Sequence, residues 1–372
     1  MKNLLNSSRL IPATAGLLVL SLTAPAMAQE SLQQEPSRWT FNGDFRLRGE
    51  FNDNAPGTVD RHRQRMRFRF GGTFAVNDEI TVGARMITGN ADDPNSPHVD
   101  LGDVLNSFEL SLDRLYVQYT PAEVEGLALL GGKFGHPMYR NPVYGELVWD
   151  ADVQPEGFAA AYRCDGCGPV DSFGIQAATV AVLEQSGSEE AWAHWLGVDF
   201  SSSTGDDSKI DGGLSYTFFG DLTPGGSGAI AGDLSGNSLT GTEATSDYGI
   251  LDAILAYHSG ALIVSGEFIN NIRAADTVGD TGVAVGAALK TDAGKFYYQY
   301  ATIEQDAILT AISQDDMLLA TNYNSHMLGW KKGLTERVGL HVWVMASEPN
   351  ELLAGMVDEM IYRFRVDLNI NL

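Results

Sequence analysis

Basic residues are scarce in this sequence: 24 lysines and arginines stand against 48 aspartates and glutamates, a formal net charge of −24. Such a chain is repelled by phosphate backbones, which excludes nucleic acid as a partner. Long apolar runs are also missing, and mean hydropathy is only −0.10. Membrane-spanning helices, which need roughly 20 apolar residues each, are therefore excluded. A closed barrel is not, because only half of the residues in each of its strands are apolar.

Catalytic motifs are equally absent. No Gly-x-Ser-x-Gly elbow occurs, and the seven histidines are scattered, at positions 62, 98, 136, 194, 258, 326 and 341. No Ser/His pair stands out on one strand face, and no nucleotide-binding motif suggests energy coupling. The sequence therefore predicts that the protein is not an enzyme.

Only two cysteines are present, Cys164 and Cys167, in the segment Cys-Asp-Gly-Cys. Two thiolates make an incomplete zinc site, and no βαβ pattern surrounds them, so a metal or redox site is disfavoured. A disulfide that staples a turn in an oxidising compartment is the favoured interpretation.

The N-terminus has the features of an export signal. Lys2 and Arg9 precede an apolar run, residues 15–22, and Ala26-Met27-Ala28 is a small-x-small cleavage site before Gln29. This pattern predicts a cleaved secretory signal peptide over residues 1–28, followed by a short periplasmic segment over residues 29–38. Without Lys2 and Arg9 the formal charge becomes 22 − 48 = −26.

From Trp39 to Leu372 the sequence alternates between apolar and polar residues in short segments. In the last segment, every even position from Met360 to Leu372 is apolar, and the odd positions are polar except for Ile361. Side chains alternate across a strand, so each segment has one apolar and one polar face. Sixteen such strands, joined alternately by short turns and longer loops, predict an all-β fold: a transmembrane antiparallel β-barrel over residues 39–372. The short turns and both termini would face the periplasm, and the long loops the outside.

Arginines recur on the polar faces of the first three strands and the last one. Facing lipid, each would cost roughly 2–4 kcal/mol, so we expect them to line one wall of the lumen. This predicted basic wall comprises Arg46, Arg48, Arg61, Arg63, Arg65, Arg67, Arg69, Arg85, Arg363 and Arg365. It could attract anions or the negative ends of zwitterions, or it could pair with Asp44, Glu50 and Asp367 and stiffen the barrel.

Residues 135–155 differ from the other long loops because they are rich in proline and aromatic residues. The flanking motifs are Gly131-Gly-Lys-Phe-Gly-His-Pro137 and Leu147-Val-Trp-Asp-Ala-Asp-Val-Gln-Pro-Glu-Gly-Phe158. Together with Asp113-Arg-Leu-Tyr-Val-Gln-Tyr119, they resemble the putative porin family of Gram-negative outer membranes. The chain is more distantly similar to sixteen-stranded general porins.

The resemblance implies a third loop folded into the lumen, where it narrows the channel. Glu146, Asp150 and Asp152 would then face a basic set: Arg46, Arg48, Arg65, Arg67 and Arg363. Alternatively, these acids cap turns at the surface. The resemblance also implies a homotrimer in outer-membrane lipid, folded by the barrel-assembly machinery, although Leu372 stands where many such barrels end in phenylalanine.

Several other long loops are acidic. The acids are Asp92, Asp93, Asp100 and Asp103, then Asp221, Asp233, Glu243 and Asp247, and finally Asp306, Asp315 and Asp316. We interpret them as a solvated rim. Alternatively, Ca²⁺ or Mg²⁺ bridges them to lipopolysaccharide phosphates; no other cofactor is expected.

The sequence therefore predicts an outer-membrane porin, a passive channel for small hydrophilic solutes and ions. An anion-selective channel for phosphate or carboxylate is one alternative, because the inner wall is basic while the rim is acidic. A plugged barrel with a structural or adhesive role is another.

Overall fold

The computed structural model describes residues 37–53, 59–90, 96–184, 190–220, 222, 234, 236–241, 243–353 and 355–372. The predicted signal peptide lies outside these ranges, as does the predicted periplasmic segment except for its last two residues. Asp92, Asp93, Asp221 and Asp233 of the predicted rim, and the side chain of Glu243, are also outside the described part.

The described chain forms nineteen strands. They are β1 (Trp39–Asp53), β2 (Arg61–Ala75), β3 (Ile80–Thr88), β4 (Val99–Asp100), β5 (Leu110–Tyr119), β6 (Leu127–Lys133), β7 (Glu156–Asp165), β8 (Ser172–Leu183), β9 (Ala191–Gly205), β10 (Ser208–Gly220), β11 (Leu239–Thr240), β12 (Glu243–Ala244), β13 (Gly249–Ser259), β14 (Leu262–Asn271), β15 (Thr281–Thr291), β16 (Gly294–Ile303), β17 (Tyr323–Gly333), β18 (Val338–Pro349) and β19 (Ile361–Asn371). Within the described ranges no helix is long and apolar enough to cross a membrane.

Sixteen of these strands close into one antiparallel barrel. Each pairs with its neighbours along the chain, and the last, β19, returns to β1 with Leu47 opposite Leu368. Of the three two-residue strands, β4 adds to the edge of β2, and β11 pairs only with β12. The predicted all-β fold and the sixteen-stranded antiparallel barrel are therefore confirmed.

The connections alternate in length. Between β2 and β3 only residues 76–79 intervene, and between β9 and β10 only residues 206–207, whereas residues 134–155 separate β6 from β7. A disulfide joins Cys164, near the end of β7, to Cys167 in the turn before β8. Long loops consequently gather at one end of the barrel and short turns at the other, as in outer-membrane barrels.

The buried apolar core lies inside the barrel rather than between two layers. Outward side chains such as Phe41, Val285 and Leu328 are 62%, 52% and 54% exposed, as a lipid-facing surface requires. The long loops 134–155 and 304–322 supply much of the buried set, including Phe134 and Leu309, both 0% exposed. Because these loops fill the lumen, they determine what space remains for a solute.

Candidate functional site

Arginines of β2 extend into the lumen and meet carboxylates of β1. Asp44 accepts hydrogen bonds from Nη2 of Arg67 at 2.8 Å and from Nε of Arg69 at 2.6 Å. Glu50, only 4% exposed, accepts from Nε of Arg63 at 2.9 Å. The register explains these pairs, because residues opposite each other on adjacent strands share one face.

The last strand adds its own charges across the seam where β19 meets β1. Nε and Nη2 of Arg48 donate to Asp367 at 2.7 and 3.0 Å, a bidentate pair. Nε of Arg365 donates to Glu50 at 2.5 Å. Both guanidinium groups also lie over the ring of Trp343, at 5.7 and 5.1 Å from its centroid. Charge-assisted pairs of this geometry hold buried arginines firmly in place.

Two wall arginines bond to neutral oxygens instead. Nε of Arg46 donates to Oδ1 of Asn369 at 2.7 Å. Arg363 donates through Nε to Oδ1 of Asn52 at 2.9 Å and through Nη1 to the backbone carbonyl of Asp315 at 2.8 Å. These two guanidinium groups keep a positive charge that no salt bridge within the described residues neutralises.

The remaining wall arginines lie nearer the rims. Arg61, whose side chain is 57% exposed, and Arg65 both pair with Asp100, at 3.0 and 2.8 Å. Arg85 donates through Nε to Asp113 at 3.0 Å. Of the ten predicted arginines, eight thus pair with carboxylates. Much of the predicted basic wall is internally neutralised.

The third loop, residues 134–155, rests on the opposite side of the lumen through its apolar side chains. Val143, Leu147 and Trp149 are buried in a cluster that includes Trp195 of β9 and Ala284 of β15. Because burial of apolar area is favourable, the loop packs against the wall that contains β9 and β15 rather than extending into solvent.

Polar contacts fix the tip of the same loop. Nδ2 of Asn141 donates to Glu267 at 2.8 Å, and Oγ of Ser265 donates to Oδ1 of Asn141 at 2.8 Å. Nζ of Lys295 donates to the carbonyl of Pro142 at 3.4 Å. The loop is therefore attached to three successive strands, β14 to β16, counting the apolar contact with β15.

Glycines on this wall make room for the loop. A Cβ added at Gly213 would lie 2.7 Å from the ring of Tyr139, and one added at Gly286 would lie 2.9 Å from Val143. These distances are shorter than carbon atoms tolerate, so any larger residue would displace the loop. Sequence analysis missed these positions, because glycine is frequent throughout the chain.

The acids of the third loop divide between two surroundings. Asp152 accepts from Nη1 of Arg69 at 2.9 Å and from Nη1 of Arg67 at 3.4 Å, so it faces the basic wall directly. Glu146 and Asp150 form no salt bridge with a described residue and lie beside the second inward loop instead.

That second loop, residues 304–322, corrects the interpretation of a solvated rim. Asp306 is 0% exposed and accepts from the backbone N of Ser238 at 2.8 Å. Asp316 accepts from the hydroxyl of Tyr144 at 3.1 Å and from Arg365, and Arg363 binds the carbonyl of Asp315. The rim interpretation was wrong for Asp306, Asp315 and Asp316. The buried run Ala307-Ile308-Leu309 carries the loop inward, and it was the available signal.

Burial and mutual repulsion shift the titration of the loop acids. Burial, followed by the charge of Asp316, raises the pKa of Glu146 to about 7, and the same two causes raise the pKa of Asp315 to about 6. Burial and the neighbouring Glu146 raise the pKa of Asp150 well above its usual value. Burial would also raise the pKa of Asp316, but the nearby guanidinium groups, above all that of Arg365, lower it.

Among the described residues, two cavities of similar volume lie beside the charged wall. The first, about 390 Å³, lies at the level of the loops and has six basic and six acidic residues in its lining. The second, about 420 Å³, lies toward the short turns, where its lining includes Gly333, Gly339 and Asn371. The lining residues common to both are Arg46, Arg67, Arg69, Lys331 and His341. The two spaces therefore adjoin along one side of the lumen.

Within the described residues, no group of three or more His, Cys, Asp or Glu side chains is arranged to hold a metal ion. The site is built instead from opposed charges around the cavity of about 390 Å³. Such an arrangement can orient and screen ions that pass through.

A model of the family described as Putative porin matches residues 49–182. This range contains the motifs around Lys133 and Trp149 on which the predicted resemblance rests, and the resemblance is confirmed. No curated protein matches the chain.

Several solved structures share the barrel fold. Pseudomonas putida OprB is 14% identical, with a TM-score of 0.58 over 90% of this chain and 94% of that one. Salmonella typhi OmpF, in complex with daunomycin, is 12% identical, with a TM-score of 0.55 over 90% and 97% of the two chains. A multiply substituted mutant of Rh. blastica porin is 12% identical, with a TM-score of 0.52 over 90% and 100%.

At these identities the structural likeness establishes the fold alone. The family match over residues 49–182 and the sixteen-stranded antiparallel barrel are features that this chain shares with porins.

Proposed function

We propose that the protein is a passive diffusion channel for small hydrophilic solutes and ions. In this proposal the arginine wall of β1, β2 and β19 opposes the acids of the third loop, so that solutes pass between opposite charges. The observation that carries it is the cavity of about 390 Å³ between Arg46, Arg48 and Arg67 on one side and Glu146, Asp150 and Asp152 on the other. A lumen packed with side chains at this level would leave no such space.

A planar-bilayer recording of the purified, refolded mature chain under a KCl gradient tests this proposal. We expect stepwise conductance, and the sign of the reversal potential reports whether the basic wall or the loop acids dominate. A folded barrel without conductance would overturn the proposal in favour of the plugged structural or adhesive barrel.

The contribution of the wall to selectivity is tested by neutral substitution of Arg65 and Arg67, which are 7% and 5% exposed. Removing two positive charges leaves Asp44, Asp100 and Asp152 less compensated, so we expect selectivity to shift toward cations. An unchanged reversal potential would count against a role of the wall in permeation.

The setting of the channel is also part of the proposal. Residues 1–28 would direct export and be cleaved, and the barrel would be inserted by the assembly machinery and assemble as a homotrimer among outer-membrane lipid and lipopolysaccharide. Ca²⁺ or Mg²⁺ would bridge the acidic loops to lipid phosphates. If chelation of divalent cations leaves stability and lipopolysaccharide association unchanged, the bridge is discarded.

A further inference from the structure

Arg46 differs from most arginines of the wall. The neighbouring Arg48, Arg67 and Arg69 each pair with a carboxylate within 2.8 Å. Arg46 has only Oδ1 of Asn369 as a hydrogen-bond acceptor among the described residues, at 2.7 Å. Its guanidinium group therefore has no direct carboxylate partner among the described residues and keeps further N–H donors, which are suited to planar oxyanions.

A second cation without a carboxylate partner lies three strands away from Arg46 on the inner surface of the barrel. Lys331 of β17 is exposed, and its Nζ lies 5.3 Å from the centroid of the Tyr297 ring. No salt bridge to Lys331 occurs among the residues that the structure describes. Its ammonium group is thus a point charge on a mobile stem, open to the aqueous space.

Arg46 and Lys331 belong to the same space. Both line the cavity at the level of the loops and the one toward the short turns. Three strand steps separate β1 from β17, roughly 14 Å at about 4.8 Å per step, and Lys331 is offset from Arg46 by two residues along the strands, so the two long side chains can approach one anion from opposite sides. The residues between them are Gly339 and His341 on β18 and Asn369 and Asp367 on β19, where Asp367 is already paired with Arg48. A Cβ at Gly339 would have no neighbour closer than 3.6 Å.

We propose that Arg46 and Lys331 form a binding site for a small oxyanion, the carboxylate or phosphate group of a passing solute. Arg46 would hold two oxygens through parallel N–H groups, and Lys331 would neutralise the remaining charge. The site lies where the two cavities meet, so that a bound anion would occupy the route that other ions take. This inference rests on the proposed channel and names a solute class for it.

The test is block of single-channel KCl current by potassium succinate and, separately, by potassium phosphate. We expect at least one of these anions to reduce the current in a saturable way. In a variant carrying Arg46→Gln and Lys331→Gln, we expect half-block to need at least tenfold more anion. Arg337→Gln is the matched control, because it removes an exposed charge in the turn between β17 and β18 that lines neither cavity. Its block should equal that of the unsubstituted protein.

The outcomes separate the two proposals. If the folded barrel carries no KCl current, the proposed channel function is contradicted. Normal KCl current without saturable block by either anion, or equal block in the double variant, would overturn the oxyanion site alone. The anion that blocks at lower concentration identifies whether carboxylate or phosphate is preferred. If the double variant fails to fold, as judged by heat-modifiable gel mobility, the single substitutions carry the same expectation with a smaller change.

Discussion

The two walls of the lumen differ in the side chains that they present to the interior. The wall of β1, β2 and β19 is charged, and its arginines are held by carboxylates such as Asp44, Glu50 and Asp367. The wall of β9, β10 and β13–β16 receives the third loop mainly through small and apolar residues, among them Gly213 and Ala284, and through a few polar ones such as Glu267. One wall therefore repels an apolar loop while the other binds it, so the aqueous space remains beside the charged wall.

The comparison also explains the orientation of the loop. Its apolar residues, Val143 and Leu147, are buried against the apolar wall, whereas Asp152 on the same loop reaches Arg69. A loop with one apolar side and one acidic side can contact the apolar wall and the charged wall at the same time only if it lies between the two walls. The loop is therefore a partition whose two faces match the two walls.

The strongest test of the charged wall is removal of one buried carboxylate. Glu50→Ala would leave the guanidinium groups of Arg63 and Arg365 buried without their shared partner. Breaking a buried pair costs about 3–5 kcal/mol. Because Arg365 keeps Asp316 as a partner, we expect the free energy of unfolding in lipid, measured with urea, to fall by an amount near the lower end of that range. Glu123→Ala, at an exposed turn, is the control. Equal unfolding midpoints for both variants would show that the wall does not depend on its ion pairs.

The corresponding test of the apolar wall is Gly213→Val. Its side chain would collide with Tyr139, and overpacking of this kind typically costs 1–3 kcal/mol. Because the loop can move toward the cavity, we expect a lower single-channel conductance together with the lower stability. Gly49→Val is the matched control, since a Cβ there meets no atom within 4 Å. Normal conductance in the Gly213 variant would mean that the loop does not rest on this wall.

The balance between the walls should change with pH. The pKa of Glu146 is raised to about 7 and that of Asp315 to about 6, so both carboxyl groups are charged at pH 8 and neutral at pH 5. The cavity then loses negative charge on acidification, and the reversal potential should move toward that of chloride between these limits. Glu146→Gln combined with Asp315→Asn should weaken the pH dependence, and the part that remains is assigned to Asp150, which lines the same cavity and whose pKa is also raised by burial. A shift in the opposite direction would contradict the assignment.

The smallest effect is expected from an ion pair outside the lumen. Arg273 and Asp247 pair at 2.8 Å, but their side chains are 41% and 71% exposed. Exposed pairs contribute 0.2–1 kcal/mol, so Arg273→Ala should change the unfolding free energy by less than about 1 kcal/mol. A loss comparable to that of Glu50→Ala would remove the distinction between lumen and surface pairs.

Much of the barrel was predictable because a strand shows its two faces in the sequence itself. The alternation in β19 and the arginines at every second position of β2 determine which side chains point inward. The seam was predictable too, since an even number of strands can close only if β19 meets β1. These features depend only on the alternation of residues within each strand and on the closure of the barrel.

The interior was less predictable because it depends on contacts between distant segments. The local sequence does not show that Val143 packs against Gly286. It also does not show that Arg46 bonds to an asparagine whereas Arg48 pairs with an aspartate. The inward course of residues 304–322 was hidden by their acids, although Ile308 and Leu309 favoured burial. An acidic residue is exposed to solvent only if the loop that carries it stays outside the lumen, and the course of the loop depends on its apolar residues.

The seam between β1 and β19 has a consequence for biosynthesis. It joins residues more than 310 positions apart, as in the bond from Arg363 to Asn52 and the pair of Arg48 with Asp367. Until the final eleven-residue strand arrives, Arg46 and Arg48 of β1 lack their acceptors Asn369 and Asp367, and an unpaired strand edge faces the bilayer. A chain that lacks β19 would therefore leave these two arginines of its first strand without the partners that hold them in the complete barrel.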